Sequence, residues 1–354
     1  MKNLWYNIFC IAFFAVILAP VILIPLTDGG LNENRPPAPA PQLFTEDGFN
    51  YSLPVDTEAF LNDRFAGRTL MIDTYSRLVS SLFNTSANDR VIIGRDGWLF
   101  FSETIADYDG SSTFNDGDMN ILVSYLLELN DIAKERGQVF LVTVIPNKNT
   151  LFGEYMPSRY KRYDGPSNME RLYMTEGLDF IDLSTLLLET DDISYFKTDS
   201  HWNGYGTRIA AREIMSVIEE KTGVPSGLSL PEDGIYELGD ITGDLARMLF
   251  PVNPPLESEH FFEDAEPAYT AIGRYRTPDD MHITTESDGA SLRVAFYRDS
   301  FANSLIPYFS NAYSDVYYTR QTPLPIDRNE FLEADVIVFQ IVERRLSELL
   351  RYLG

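Results

Sequence analysis

The sequence predicts an α/β body on a mainly parallel sheet with helices on both faces, preceded by one N-terminal transmembrane helix. Three observations predict it. From about residue 116 onward, short runs of β-branched and aromatic residues recur between segments with helical spacing. Residues 4 to 26 hold no charged side chain. The composition, 44% hydrophobic and 13% aromatic over 354 residues, is that of a chain able to bury a core. With 28 basic against 53 acidic residues the formal charge is −25, a poor surface for a phosphate backbone, and nucleic acid is excluded as a partner. A single cysteine, Cys10, allows neither an internal disulfide nor a thiolate metal site.

The apolar run Leu4 to Leu26 is long enough for a bilayer, which needs roughly 20 residues. Lys2 precedes it while Asp28 and Glu33 follow, a bias that places the body outside the cytoplasm on a single-pass anchor over residues 1–27. No small-x-small cleavage site follows the run, which favours an uncleaved anchor over a signal peptide. Residues 28–55 read as an extracytoplasmic linker, stiffened by Pro36, Pro37, Pro39 and Pro41. The folded domain then spans 56–354.

Within it, Glu58 to Leu82 has the apolar spacing of one broken helix or two short ones, and Val91 to Phe101 reads as a hairpin around Gly94-Arg95-Asp96-Gly97. Asp116 to Gly137 carries Leu122, Leu126, Leu129 and Ala133 on one helical face and ends on a glycine. Val139 to Ile145 is a continuous β-rich run, as in a strand covered on both sides, and Phe180 to Leu183 is a second strand. Tyr205 to Lys221 is a helix opened by Asn203-Gly204. Val294 to Tyr297, Val316 to Tyr318 and Val336 to Phe339 supply three more strands. The Pro-, Gly- and acid-rich stretch at about 226–289 breaks the pattern and reads as an irregular insertion.

Three polar residues fall where such a sheet presents functional groups. Asp199 and His201 lie two apart just before the helix from Tyr205, and Ser300 follows the strand ending at Tyr297. A serine hydroxyl becomes a nucleophile when an imidazole takes its proton, and a carboxylate fixes the imidazole's tautomer. A helix-entry loop with a buried histidine, and an N-cap at Asp299-Ser300, would carry the same residues, so the pattern alone leaves both readings open. His260 and His282 fall in the irregular stretch, where surface or capping roles are commoner. No cluster has metal-ligand spacing, and neither a metal nor a cofactor is expected.

The segment Thr198-Asp199-Ser200-His201-Trp202-Asn203 and the segment Arg298-Asp299-Ser300-Phe301 resemble the DHHW and alginate O-acetyltransferase (AlgX/AlgJ-like) branch of the SGNH hydrolase superfamily. So do Gly94 to Phe100, Ile145-Pro146-Asn147-Lys148, Gly243-Asp244-Leu245 and Val342-Glu343-Arg344, which together cover residues 56–354. The resemblance implies a circularly permuted, three-layer SGNH-like sandwich. It implies Ser300 as nucleophile, His201 as general base and acid, and Asp199 as its orienting partner. The implied activity is extracytoplasmic transfer of an acetyl group to hydroxyls of a polysaccharide, with a membrane-bound O-acyltransferase as acetyl source. A polysaccharide acetylesterase, or a non-catalytic binding or assembly subunit, are the rival expectations. Two departures from the pattern bear on the oxyanion hole: Arg298 replaces the usual glycine, and Ile341 to Arg344 stands in place of a Gly-x-Asn-Asp block. Asn147, Arg298 and Arg344 are the candidates for further oxyanion or substrate contacts. The charge of −25 adds a condition: either the acceptor is neutral, or a basic groove is assembled locally from Arg298, Arg344 and Arg345.

Overall fold

The computed structural model describes residues 2–22, 37–45, 48–64, 67–190 and 192–353. By internal contacts the chain divides into two units, residues 1–91 with 244–255, and residues 92–243 with 256–354.

In the first unit Lys2–Ile22 is helical. Among the described residues no helix is long and apolar enough to cross a membrane, so the transmembrane helix expected over residues 4–26 is not supported; its last four residues lie outside the described ones. The spacing that suggested a broken helix produces two, Leu53–Arg64 and Arg68–Phe83, and Gly67 between them has φ 78°, a left-handed turn that glycine makes without strain. The proline-rich stretch is tied down at Ala38, whose N–H donates to Asp63 at 2.7 Å and whose carbonyl accepts from Arg64 at 2.6 Å.

The second unit carries the α/β body. Its sheet strands are β1 (Val139–Ile145), β2 (Asp179–Phe180), β3 (Thr270–Ile272), β4 (His282–Glu286), β5 (Ala290–Tyr297), β6 (Tyr313–Thr319) and β7 (Val336–Val342). They lie in the order β2-β1-β7-β5-β6-β4-β3. The first five are parallel, while β4 and β3 add on antiparallel. The parallel strands are continuous apolar runs because both faces are covered. Leu141, Val294, Phe296, Val336 and Val338 pack to one side under α2 (Gly204–Thr222) and α3 (Ile306–Ala312). Phe140, Val142, Ala295, Ile337 and Phe339 pack to the other under α1 (Asp116–Glu135) and α4 (Leu346–Leu353). Odd and even residues of each strand thus feed separate cores, as a period of two requires.

The stretch read as irregular is more ordered than its composition suggests. Part of it is a hairpin, Tyr236–Ile241 against Glu257–Phe262, and part is β3 and β4. These strands are short and polar because they lie at an edge or carry one solvated face, so they lack the apolar run that announces a buried strand. The second strand is shorter than expected, closing at Phe180, after which Ile181 still donates to the Val142 carbonyl at 2.8 Å.

Candidate active site

The carboxyl ends of β1, β5 and β7 converge, and the chain puts polar residues at each: Asn147 after β1, Ser300 after β5, Glu343 after β7. This is where an open parallel sheet leaves a crevice.

Ser300 opens a 3-10 turn, Ser300–Asn303, whose N-cap is Asp299. Asp299 is 2% exposed, and its carboxylate accepts from Phe301 N–H at 2.9 Å, Gln340 Nε2 at 3.0 Å and Val342 N–H at 2.5 Å. The capping role is therefore real, and the same carboxylate also fastens the serine turn to the end of β7.

The Asp199–His201 loop is held just as closely. Tyr195 and Trp202 form an isolated antiparallel bridge that folds it back on itself. Asn203 caps α2 by accepting from Gly206 N–H at 2.9 Å. Lys148, 4% exposed, donates its ammonium to the carbonyls of Phe196 and Lys197 at 3.1 Å each and of Asp199 at 2.6 Å. Its charge lies over the rings of Trp98 and Phe100 at 5.7 and 5.3 Å. From the other side Glu257 accepts from Lys197 N–H, and from Thr198 N–H and Oγ1 at 2.8 and 2.6 Å. Gly243 packs so near that a Cβ there would sit 2.2 Å from the Thr198 carbonyl oxygen. Trp202 then joins loop to turn, its indole N–H reaching the Phe301 carbonyl at 3.1 Å and Ser304 Oγ at 2.9 Å.

The result is one line of hydrogen bonds. Asp199 Oδ1 lies 2.8 Å from His201 Nδ1, and His201 Nε2 lies 2.9 Å from Ser300 Oγ. With Nδ1–H donated to the carboxylate, Nε2 is left to accept the serine proton. Phe301 walls the imidazole at 4.8 Å, and the His201 side chain stays 28% exposed toward a cleft of about 420 Å³.

The three further candidates have different fates. Asn147 is fully buried, its amide donating to Asp107 at 2.9 Å and its Oδ1 accepting from Arg344 N–H at 3.3 Å. Arg298 is 1% exposed and turned inward, donating to Asn303 Oδ1 at 2.6 Å and to the carbonyls of Pro278 and Asp280 at 2.7 and 3.1 Å. Burial pushes its guanidinium down to about 10. Arg344 places its guanidinium over Phe301 at 5.4 Å and over Phe101 at 5.5 Å. His260 lines the cleft beside Phe261 and Glu259, whereas His282 is spent on Tyr317 and Thr319 at 2.8 and 3.1 Å, with burial lowering its basicity.

Lys148 and Trp202 lay inside the resembling motifs without a role, and Glu257 lay in the stretch read as irregular. Their signal was faint because each acts on backbone groups brought near only by folding. Glu343 is another such residue. It is buried, accepts from Asn147 N–H at 2.9 Å and Thr150 Oγ1 at 2.5 Å, and burial raises its carboxyl to about 7. An acid raised in the folded state contributes most below its ordinary value near 4.5, and that contribution is lost as pH climbs toward 7. Unfolding free energy should thus fall by about 3 kcal/mol across this interval from Glu343 alone. In Glu343→Gln that fall should be much shallower in denaturant titrations at matched pH, and an unchanged slope would exclude Glu343 as its source.

Residues 91–260 match the family model described as SGNH hydrolase-like domain, acetyltransferase AlgX. Over this stretch, just under half of the 354 residues, the chain is similar to that family. The match to the model takes in Asp199 and His201 and stops before Ser300. A probable alginate O-acetylase AlgJ of Azotobacter vinelandii is 25% identical over 280 residues, covering 72% of this chain and 67% of that protein. Its Pseudomonas aeruginosa counterpart is 26% identical over 172 residues, covering 46% and 41%. The chain thus spans 41% to 67% of the length of these curated relatives. Among solved structures, Bacillus cereus PatB1 superposes with a TM-score of 0.55 at 16% identity, covering 72% of this chain and 96% of that one, a likeness of fold.

Proposed function

We propose that this protein is an O-acetyltransferase that passes an acetyl group through Ser300 to a hydroxyl of a polysaccharide. The observation that carries the proposal is the continuous Asp199–His201–Ser300 hydrogen-bond line opening on the cleft. The alginate O-acetylase relatives support the transfer chemistry.

In the first half-reaction His201 Nε2 takes the Ser300 Oγ proton as Oγ attacks the acetyl carbonyl. The negative charge builds on the carbonyl oxygen, where the Ser300 N–H at the head of its turn is placed to donate, and Arg344 over Phe301 is the candidate for a second donor. Collapse breaks the donor's C–O bond, and His201 returns the proton to the leaving oxygen. In the second half an acceptor hydroxyl gives its proton to His201 and attacks the acetyl-serine. Ser300 leaves with that proton. Water in place of the sugar hydroxyl would make the same site an esterase. The non-catalytic reading rested on Arg298, and its guanidinium is engaged with Asn303 and two backbone carbonyls behind the turn.

Incubating the protein with an activated acetyl ester should leave an acetyl group on Ser300, read by peptide mass spectrometry and absent in His201→Ala. The adduct should decay faster with a hydroxyl-rich oligosaccharide than in buffer. Failure to acetylate Ser300 would remove the enzyme reading, and decay indifferent to sugar would favour the esterase.

The polarity of Lys2 ahead of the apolar run and Asp28 after it supports an extracytoplasmic body held at the cell membrane, with a membrane-bound O-acyltransferase supplying acetyl groups. A reporter fused after Gly354 should be active only outside the cytoplasm; cytoplasmic activity would reverse this placement.

A further inference from the structure

The alternative posed by the net charge, a neutral acceptor or a local basic groove, is decided by where the arginines go. Arg298 is buried in hydrogen bonds to Asn303, Pro278 and Asp280. Arg345 is paired with Glu348 at 2.8 Å. Arg344 stacks on Phe101 and Phe301 and is not among the residues that line the cleft. Behind the cleft wall, Arg208 is 5% exposed, pairs with Asp264 at 2.5 Å and faces Phe262. Arg320, beyond Asn303, is tied to Asp279 at 2.8 Å.

Among the described residues, the cleft that opens on Ser300 and His201 is lined by no lysine or arginine. It is lined by three carboxylates, Asp199, Glu259 and Glu266. Phe261, half exposed, and Tyr308 supply apolar and aromatic surface beside them. Glu259 accepts from Gly204 N–H at 2.8 Å and His260 N–H at 2.6 Å, which fixes its carboxylate in the wall. Glu266 is exposed and has no such constraint.

We propose that the acceptor bound in this cleft is a sugar chain without carboxylates, and that Glu259 and Glu266 exclude polyuronates by charge. The inference rests on the acetyltransferase reading and names its substrate class. A uronate carboxylate entering beside Glu259 and Glu266 in a partly enclosed site meets like-charge repulsion, and among the described residues no lysine or arginine lines the cleft to offset it. Neutral pyranose faces meet no such penalty, and an amino sugar would gain.

The test separates this inference from the reading beneath it. Binding of a neutral glucose tetramer, a glucosamine tetramer and a uronate tetramer of the same linkage would be measured by calorimetry on full-length Ser300→Ala, which cannot be acylated. The neutral and amino tetramers should bind roughly tenfold or more tightly than the uronate at low salt, with the gap narrowing as salt is added. Glu266→Lys, at an exposed position, should shrink the gap about threefold or more without loss of fold. A uronate tetramer that binds as tightly as the neutral one, or no measurable binding of any tetramer, would overturn the proposal. Wild-type protein that fails to acetylate Ser300 while the Ser300→Ala preference persists would sink the acetyltransferase reading and leave the cleft's selectivity standing.

Discussion

Ser300→Ala is expected to lower acetyl turnover on the order of 10⁴-fold or more, with His201→Ala matching it and the double variant costing little beyond either. The reason is geometric. The 2.9 Å contact from His201 Nε2 to Ser300 Oγ and the 2.8 Å contact from Nδ1 to Asp199 make one proton-transfer unit, and a unit broken at either end no longer activates the nucleophile. Asp199→Asn should be severe with more residual rate, since an amide holds the ring but favours the wrong tautomer. The folded state should survive these changes, because the loop and the turn are fastened by other groups: Lys148 and Glu257 on one side, Asp299 on the other. Initial rates with an activated acetyl ester, alongside unfolding curves for each variant, check both halves. Wild-type turnover in Ser300→Ala would remove the serine mechanism outright.

The second large effect is expected at Lys148. Lys148→Met keeps much of the volume against Trp98 and Phe100 but withdraws three hydrogen bonds from the carbonyls of Phe196, Lys197 and Asp199. Buried acceptors left without donors cost about 1–3 kcal/mol each, so a loss of at least about 3 kcal/mol in unfolding free energy is expected. The loop that carries Asp199 and His201 should then drift, and misplacement by about 1 Å is enough to cost roughly 10²-fold in rate. A positioning role has its own signature. At a temperature where the variant is fully folded, kcat should fall while KM for the small ester stays within about twofold, because the ester does not touch Lys148. Equal stability and equal kcat in the variant would show that Glu257 and the Tyr195–Trp202 bridge suffice to hold the loop.

Both predictions turn on contacts that could be read from the sequence only in part. The three residues of the hydrogen-bond line stood out because their chemistry is local to type and position: an Asp and a His two apart at a helix entry, and a Ser after a strand. Lys148 was visible only as one letter of a motif, since its partners lie about fifty residues away and are backbone carbonyls that no side-chain pattern marks. Arg298 bore on the oxyanion hole because it stands where glycine is usual, and it was a candidate for a substrate contact. Its guanidinium instead holds Asn303 and the carbonyls of Pro278 and Asp280 behind the serine turn, contacts supplied by the stretch that sequence reading left as irregular.

What the sequence by itself determined was the alternation of buried strands and helices and the two faces of each strand; it marked Asp199, His201 and Ser300 as candidates, whose roles the resemblance implied. Those features follow from short-range periodicity and residue chemistry, which need no knowledge of what packs where. Only the tertiary structure decided that the edge strands β3 and β4 extend the sheet and that Asn147 is closed off by Asp107 and Arg344. It alone decided that the cleft before Ser300 is walled by carboxylates rather than arginines. These are long-range outcomes. They depend on which of many polar groups the packed core leaves facing water and which it turns inward to satisfy buried backbone, and that choice is made by the fold as a whole.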